Sequence, residues 1–178
     1  MNDLIIQEEN TDLQLEITVK YYTLPSEELG GLVRQVTICN KSSHKKSVEV
    51  LDGMAEMLPY GIDWQSMKVE GQTSKAWMEV LNHETGIPYC KMRVRTDDIA
   101  EVKEVEGGNF GFAFGSSGEV LPVMINQENI FGYDNSLENP LCFQEETLPE
   151  LLAKEQIAQN ILPCCFFAQQ QELMPGEV

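Results

Sequence analysis

The sequence predicts an all-β protein, mainly antiparallel, of the β-sandwich or supersandwich type with one or two short helices. Apolar and polar residues alternate with period two in several segments, which is the pattern of half-buried strands. Glycine- and proline-containing turns separate these segments at short intervals, and few segments have helical periodicity. Many short strands with so few helices favour an antiparallel sheet over alternating βαβ units.

The strongest strand signal lies close to the N-terminus. Five apolar residues alternate there with polar ones: Leu13, Leu15, Ile17, Val19 and Tyr21. This period predicts a strand with one face that avoids water and one face that is solvated. Two further strands are predicted over residues 32–39 and 47–51, and the polar residues between them are typical of a β-hairpin turn.

Later segments repeat the strand pattern. Four of them are predicted strands: 88–96, 99–105, 119–125 and 163–173. In addition, Phe110, Phe112 and Phe114 alternate with glycine and alanine. This alternation predicts that one strand face packs a layer of aromatic rings, while the other face allows a second backbone to approach closely.

Two segments have helix signals. Thr147 and Glu150 have the spacing of a capping box, with Pro149 in the first turn, and they predict a helix that continues to about Ala158. A second, short helix is predicted over residues 63–68.

Length, charge and the N-terminal sequence restrict the function classes. A chain of 178 residues fits one domain, so residues 1–178 are predicted to form a single sandwich domain. The chain has 29 acidic and 12 basic residues, and its net charge of −17 repels nucleic-acid phosphates and anionic membrane surfaces. No segment approaches the roughly 20 apolar residues of a membrane span, and the N-terminus lacks the basic region of a secretory signal. We therefore expect a cytoplasmic protein with neither a nucleic-acid nor a membrane partner.

The five cysteines are dispersed along the chain: Cys39, Cys90, Cys142, Cys164 and Cys165. None forms a Cys-x-x-Cys motif, and no histidine pair has metal-ligand spacing, so neither a metal nor another cofactor is predicted. We interpret the cysteines as reduced, mostly buried thiols. A redox role is the alternative interpretation for the adjacent Cys164 and Cys165, but their apolar surroundings favour a buried strand.

No catalytic residue is predicted. Catalysis by a nucleophile or a general base needs an oriented partner group, and the chain has only two histidines. His44 and His83 both lie in polar turns, where a solvated turn residue is the favoured interpretation. The sequence contains no Gly-x-Ser-x-Gly motif, and the pair Gly107-Gly108 lacks the lysine and the strand–turn–helix context of a phosphate loop.

Aromatic residues between 60 and 77 are the candidate ligand-binding groups. Tyr60, Trp64 and Trp77 have flat faces that suit the apolar face of a sugar ring. Packing in a core or an interface is the favoured interpretation, because such rings bury large areas. The alternative is carbohydrate binding, for which Tyr60 and Trp64 are the predicted site residues.

Five segments of the chain resemble a known family: VEVLDGMAEMLPYG (48–61), KAWMEV (75–80), EVEGGNF (104–110), FGYDNSLENP (131–140) and LMPGE (173–177). Together they are similar to the N-terminal β-sandwich of the cellobiose-phosphorylase-like glycoside phosphorylases, glycoside hydrolase family 94 and its relatives. The resemblance covers most of the chain.

The resemblance implies a supersandwich of the galactose-mutarotase type. In complete enzymes of the family this domain precedes a helical linker and an (α/α)6 barrel, which holds the general acid and the phosphate site. The resemblance thus implies that residues 1–178 are a fragment without the catalytic barrel, inactive alone, from a glycoside phosphorylase that acts on an oligo- or disaccharide. In relatives the sandwich supports dimerisation and shapes the substrate site, so a homo-oligomer is expected.

A fragment of a sheet also exposes strand edges and an apolar face, which favour pairing with a second copy. Two alternative functions remain open. One is a stand-alone carbohydrate-binding module that uses Tyr60 and Trp64. The other, less favoured, is a mutarotase-like aldose epimerase with His44 and His83 as the candidate acid and base.

Overall fold

The computed structural model describes residues 3–95 and 100–177. The predicted fold class is confirmed, because the described chain is a mainly antiparallel, sandwich-like β-fold with short helices. The chain divides into two compact units, Met1–Val48 with Gln170–Val178 and Glu49–Gln169. The expectation of one domain over residues 1–178 stays a prediction.

The first unit contains a three-stranded antiparallel sheet with these strands in spatial order: β1 (Leu4–Asn10), β2 (Leu15–Thr23) and β3 (Leu32–Asn40). The register places Ile6, Val19 and Val36 side by side across the three strands. Residues paired in this way lie on the same face of a sheet. The predicted separation into an apolar face and a polar face is therefore confirmed.

The apolar face of this sheet is only partly buried, since Leu15 is 7% exposed and Ile17 and Val19 are of intermediate exposure. Leu4, Ile6 and Leu32 are 58%, 51% and 67% exposed. In the described part of the chain, the apolar core clusters consist of residues from 49–169 only. The expectation that one face of β2 avoids water is therefore confirmed at Leu15 only, because the other apolar residues of β2 on this face are partly exposed. Alternation specifies a face that is suited to burial, but the extent of burial depends on the surface that covers it.

Six further strands have these bounds: β4 (Lys46–Met54), β5 (Met78–Leu81), β6 (Tyr89–Met92), β7 (Asn109–Phe110), β8 (Val123–Met124) and β9 (Cys165–Leu173). They form one sheet in the order β4-β9-β8 and another in the order β5-β6-β7. Strands β6, β8 and β9 lie within the predicted strands 88–96, 119–125 and 163–173. The predicted strand over 99–105 lies partly outside the described residues, and its described part contributes the isolated bridge from Glu104 to Val94.

The predicted hairpin between β3 and β4 is wrong in its pairing, because β3 pairs with β2 and β4 is hydrogen-bonded to β9. The end of β3 is bonded to the C-terminal segment instead. The side-chain amide of Asn40 donates to the carbonyl oxygen of Leu173 over 3.0 Å. The backbone amide of Asn40 donates to the carbonyl oxygen of Glu177, also over 3.0 Å. The backbone amide of Asn40 is therefore not available to a hairpin turn after β3.

The core of the second unit is rich in sulfur. Met57, Cys90 and Cys165 belong to one buried cluster together with Val80 and Ile125. The Sγ atom of Cys90 lies 3.7 Å from the Sδ atom of Met57. Sulfur-containing side chains are polarisable and fill irregular spaces between short strands.

The phenylalanine row, defined as Phe110, Phe112 and Phe114, lies on an exposed face of its segment. Successive ring centroids are 6.2 and 5.2 Å apart, so the predicted layer of rings exists. However, the three residues are 44%, 49% and 59% exposed. The inward position belongs to Gly111, where a β-carbon would lie 3.0 Å from the Sγ atom of Cys165. The inner side is thus tight for any side chain at this position, and the rings face solvent on the other side.

Four α-helices are present in the described residues: α1 (Trp64–Ser74), α2 (Glu128–Phe131), α3 (Leu141–Glu145) and α4 (Leu148–Leu152). Two 3₁₀-helices cover Lys75–Trp77 and His83–Thr85. The capping box before α4 is confirmed, since the Thr147 amide and hydroxyl both donate to the Glu150 carboxylate. Helix α4 ends at Leu152 rather than near Ala158. The following residues are bonded elsewhere, because the Ala158 carbonyl oxygen accepts a hydrogen bond from the Val80 amide over 2.8 Å.

Replacement of Gly53 by alanine is expected to destabilise the protein strongly. A β-carbon at Gly53, in β4, would overlap the carbonyl oxygen of Cys165 in β9, and neither backbone can move without breaking the sheet. We expect the free energy of unfolding to fall by about 2–3 kcal/mol, measured by urea denaturation. The matched control is Gly30→Ala, where no atom lies within 4 Å of the added carbon, with an expected change within about 0.5 kcal/mol. Equal effects of the two substitutions would contradict this account.

Candidate functional site

The predicted site residue Tyr60 is fixed by its backbone to strand β6. Its amide donates to the carbonyl oxygen of Cys90 over 3.1 Å, and its carbonyl oxygen accepts from the amide of Met92 over 2.8 Å. These two bonds form an isolated parallel bridge between Tyr60 and Lys91. The side chain is half exposed, with 51% of the residue accessible. The backbone therefore holds Tyr60 rigidly while its ring remains available to a ligand.

The rings of two tyrosines lie against adjacent glycines. A β-carbon at Gly107 would overlap the ring of Tyr60, and one at Gly108 would overlap the ring of Tyr89. The Tyr89 hydroxyl donates to the carbonyl oxygen of Glu106 over 3.0 Å, which fixes that ring as well. We call these four residues, Tyr60, Tyr89, Gly107 and Gly108, the tyrosine–glycine cluster.

An ion pair lies on the same face of β6 as Tyr89. Lys91 is two residues from Tyr89 and so points to the same side of the strand. Its ammonium group lies 3.6 Å from the carboxylate of Glu79, which is its cross-strand partner on β5. The same ammonium donates to the carbonyl oxygen of Val105 over 2.9 Å. The Lys91 ammonium group thus holds the loop that contains Val105 in place.

The second predicted site residue, Trp64, begins helix α1 and is 68% exposed. Asp63 caps this helix, because its carboxylate accepts from the Ser66 amide over 2.7 Å. Hydrogen bonds from Ser66 lower the pKa of the Asp63 carboxyl. Among the described residues, the rings of Trp64 and Tyr60 make no ring–ring contact. The structure therefore places both residues on the surface of the second unit without stacking them on each other.

Trp77 lies against the core of the second unit. It is partly buried and packs against the cluster of Met78, Met92 and Val105. This agrees with the core interpretation for that ring. In contrast, the exposure of Tyr60 and Trp64 leaves the carbohydrate-binding prediction for these two residues as a prediction.

Both histidines lie in turns. The carbonyl oxygen of His44 accepts from the side chains of Asn40 and Ser42 over 2.8 and 2.9 Å, so the turn around it is closed by its own backbone. The Nδ1 atom of His83 is buried without a hydrogen bond and lies 3.5 Å from the carboxylate of its neighbour Glu84. His44 belongs to the first unit and His83 to the second.

Four of the five cysteines are buried, as predicted, and Cys142 is partly exposed. Burial raises the pKa of Cys90 and of Cys165 to about 12, and it also raises the pKa of Cys164. Such thiols are almost fully protonated at neutral pH, and the thiolate is the reactive form. The described residues contain no group of three or more His, Cys, Asp or Glu side chains placed to hold a metal ion.

A shallow groove of about 410 Å³ lies beside helix α1. Helix residues 67–73 and Leu162 line most of it, with Glu56 and Lys75 at its margin. The groove is open, and its lining does not include Tyr60 or Trp64.

Rigid, half-exposed tyrosine rings beside backbone carbonyl groups are able to bind a flat, hydroxyl-rich ligand by stacking and hydrogen bonding. Sequence reasoning missed Tyr89 and the packing role of Gly107 and Gly108. A glycine pair next to predicted strands is a general signal of close approach, but it does not say which ring approaches.

Comparisons with known proteins give no identification. The sequence matches no protein-family model, and no curated protein matches it. In the part of the chain that the structure describes, no helix has the length and apolar character needed to cross a membrane.

The buried thiols are expected to resist chemical modification in the folded protein. At pH 8, a pKa of about 12 leaves about one thiol in ten thousand as thiolate, whereas an unperturbed cysteine with a pKa of about 8.5 has roughly a quarter. We expect Ellman's reagent to label Cys142 first, and Cys90 and Cys165 only after unfolding in guanidinium. The control is Cys142→Ser, which should remove the fast phase. Fast labelling of Cys165 in the folded protein would contradict the burial of this site.

Proposed function

We propose that this chain is a non-catalytic β-sandwich domain of a carbohydrate-active enzyme similar to the cellobiose phosphorylases. In this role it supports association between copies and shapes the substrate site of its parent enzyme. The proposal includes a cytoplasmic location and an oligo- or disaccharide as the ligand of the parent enzyme. The observation that supports the proposal is that residues in the family-like segments have structural roles.

Asp134 in segment 131–140 illustrates this use. One oxygen of its carboxylate accepts from the amide and hydroxyl of Ser136 over 2.9 and 2.6 Å, and the other accepts from the Asn139 amide over 2.7 Å. These bonds lower the pKa of the Asp134 carboxyl to about 2, and the bond from the Ser136 hydroxyl has the largest effect. A general acid for glycoside cleavage needs the opposite shift, toward neutral pH. Asp134 is thus suited to closing a loop and not to donating a proton.

The other family-like segments are used in a comparable way. Gly53 in segment 48–61 allows β4 to approach β9, and Gly107 and Gly108 in segment 104–110 receive tyrosine rings. In segment 75–80, Met78 and Val80 are buried core residues of β5. These roles support a domain whose family-like residues determine its fold and surface.

The isolated chain is expected to have no phosphorolytic activity. With cellobiose and related β-glucosides as substrates, we expect no phosphate-dependent release of glucose-1-phosphate above the blank, measured in a coupled assay. An active cellobiose phosphorylase serves as the positive control. Phosphate-dependent product formation that copurifies with the chain would refute the non-catalytic role.

A second candidate function is a stand-alone carbohydrate-binding module, which is favoured by the exposure of Tyr60 and Trp64. In this function the tyrosine–glycine cluster supplies a rigid aromatic face. Aromatic stacking on a sugar is a weak interaction for each ring, so binding depends on more than one ring.

Under this second function, Tyr60→Ala and Trp64→Ala should each weaken binding of a β-glucan oligosaccharide by about tenfold, measured by isothermal titration calorimetry. Tyr133→Ala is the matched control, because Tyr133 is an 87% exposed aromatic residue outside this segment, and it should leave the affinity unchanged. If the unsubstituted chain gives no heat with any β-glucan, the binding-module function is wrong.

A further inference from the structure

Strand β7 is the last strand in the sheet order β5-β6-β7, and the residues after it continue this edge of the sheet. The amide of Gly111 donates to the carbonyl oxygen of Pro88 over 3.3 Å. The carbonyl oxygen of Ala113 accepts from the amide of Leu121 over 2.9 Å. The ring spacings of 6.2 and 5.2 Å along the phenylalanine row are close to the roughly 6.6 Å between residues two apart in a strand. Residues 109–114 thus form one extended segment, called the phenylalanine edge below.

The backbone groups of the phenylalanine row point away from the rest of the sheet. In an antiparallel pair, the backbone groups of alternate residues point to opposite edges of the strand. Gly111 and Ala113 are bonded inward, so the N–H and C=O groups of Phe112 and Phe114 point outward. In the part of the chain that the structure describes, these outward groups have no hydrogen-bond partner. Such unpaired groups are a template for a further strand.

The exposed rings belong to a wider apolar surface. Leu81, Tyr89 and Phe110 lie in one row across the three strands, and Val120 is bridged to Phe114. Leu81 and Val120 are each 42% exposed. Contiguous exposed apolar surface is typical of an interaction site. A partner at the phenylalanine edge therefore meets both free backbone groups and apolar side chains.

A carboxylate lies at each end of the phenylalanine edge. Glu106 is exposed and precedes the edge in sequence. The carboxylate of Glu119 lies against the backbone of Gly115, where a β-carbon would overlap it. Gly115 directly follows Phe114, so Glu119 lies at the other end.

The charge around the phenylalanine edge is negative. Residues 104–153 contain no lysine, arginine or histidine. Lys91, on the neighbouring strand β6, is paired with Glu79 at 3.6 Å and adds no net positive charge. A cationic partner is attracted by this field, whereas a second copy of the chain would bring the same carboxylates to the interface and be repelled.

We propose that the phenylalanine edge binds an extended, apolar and basic segment of another protein, which is added to the sheet β5-β6-β7 as a fourth strand. The backbone of that segment pairs with the outward groups of Phe112 and Phe114, and its alternate apolar side chains contact the rings. Lysine or arginine residues at its ends face Glu106 and Glu119. In this mode of recognition, main-chain hydrogen bonds supply affinity and side chains supply selectivity. The inference goes beyond the proposed function, because it assigns a protein partner to this edge.

The direct test is amide hydrogen exchange in the full chain, measured residue by residue by NMR. The probe is the peptide KKVTVTVKK with capped ends, titrated to about 1 mM at low ionic strength. We expect the amides of Phe112 and Phe114 to exchange about tenfold more slowly with the peptide, because they gain hydrogen bonds. The control peptide EEVTVTVEE has the same apolar pattern and the opposite charge, and it should slow exchange less than about twofold.

A second test removes one ring of the edge. Phe112→Ala should weaken binding of the labelled peptide KKVTVTVKK about tenfold, measured by fluorescence anisotropy. Tyr133→Ala is the matched control, because Tyr133 is 87% exposed and lies outside the edge, and it should leave the affinity unchanged. If Phe112→Ala fails to fold by circular dichroism, Phe114→Ala replaces it.

A third test removes the flanking charges. Glu106→Gln combined with Glu119→Gln should weaken peptide binding about fivefold at low ionic strength. The control with the same change in net charge is Glu138→Gln combined with Glu145→Gln, two exposed residues outside the edge, and it should change the affinity less than about twofold.

Several outcomes would overturn the inference. Unchanged exchange at Phe112 and Phe114 at the highest peptide concentration, equal slowing by EEVTVTVEE, or unchanged affinity in Phe112→Ala would each do so. Cellohexaose that shifts the ring resonances, together with a peptide that does not bind, would assign the row to a sugar. Amide protection without peptide that is lost on dilution would assign the edge to a second copy. None of these results affects the non-catalytic function, which fails only if the chain catalyses phosphorolysis.

Discussion

The packing around Cys165 is the constraint on which residues 49–169 depend. This buried residue of β9 has glycines against its backbone and its side chain, since Gly53 lies against its carbonyl oxygen and Gly111 against its Sγ atom. A β-carbon at Gly53 would overlap the carbonyl oxygen, and one at Gly111 would lie at the tight distance of 3.0 Å from the Sγ atom. The contact with Gly53 allows β4 to pair closely with β9. The contact with Gly111 fixes which side of the following segment faces the core, and the same close packing removes water from the thiol and raises its pKa to about 12.

The surface chemistry follows from this constraint. Because glycine occupies the inward position beside Cys165, the phenylalanine row is directed outward, and three large rings remain about half exposed. In the first unit, the apolar residues Leu4, Ile6 and Leu32 of the three-stranded sheet are also exposed. Exposed apolar surfaces of this kind are typical of interaction sites.

Several features of the fold were predictable from the sequence. The alternation around Ile17 and Val19 predicted the strand and its two faces, and the Thr147 and Glu150 pair predicted the start of α4. Both signals depend on neighbours in sequence. The bonding at the end of β3 was not predictable, because Asn40 is hydrogen-bonded to Leu173 and to Glu177, which are far from it in the sequence. At the candidate site, Tyr60 and Trp64 were named from their chemistry, whereas the role of Tyr89 depends on contact with a distant glycine.

The sequence by itself determined the fold class, the strand periodicity, the capping box and the high acidic charge, because each depends on residue type and local spacing. Only the tertiary structure decided which face of each strand is buried, which strands pair and which rings remain exposed. A period of two specifies that two faces differ, but it does not specify which face meets another layer. That choice depends on distant residues such as Cys165 and Gly111, whose available space is set when the chain folds.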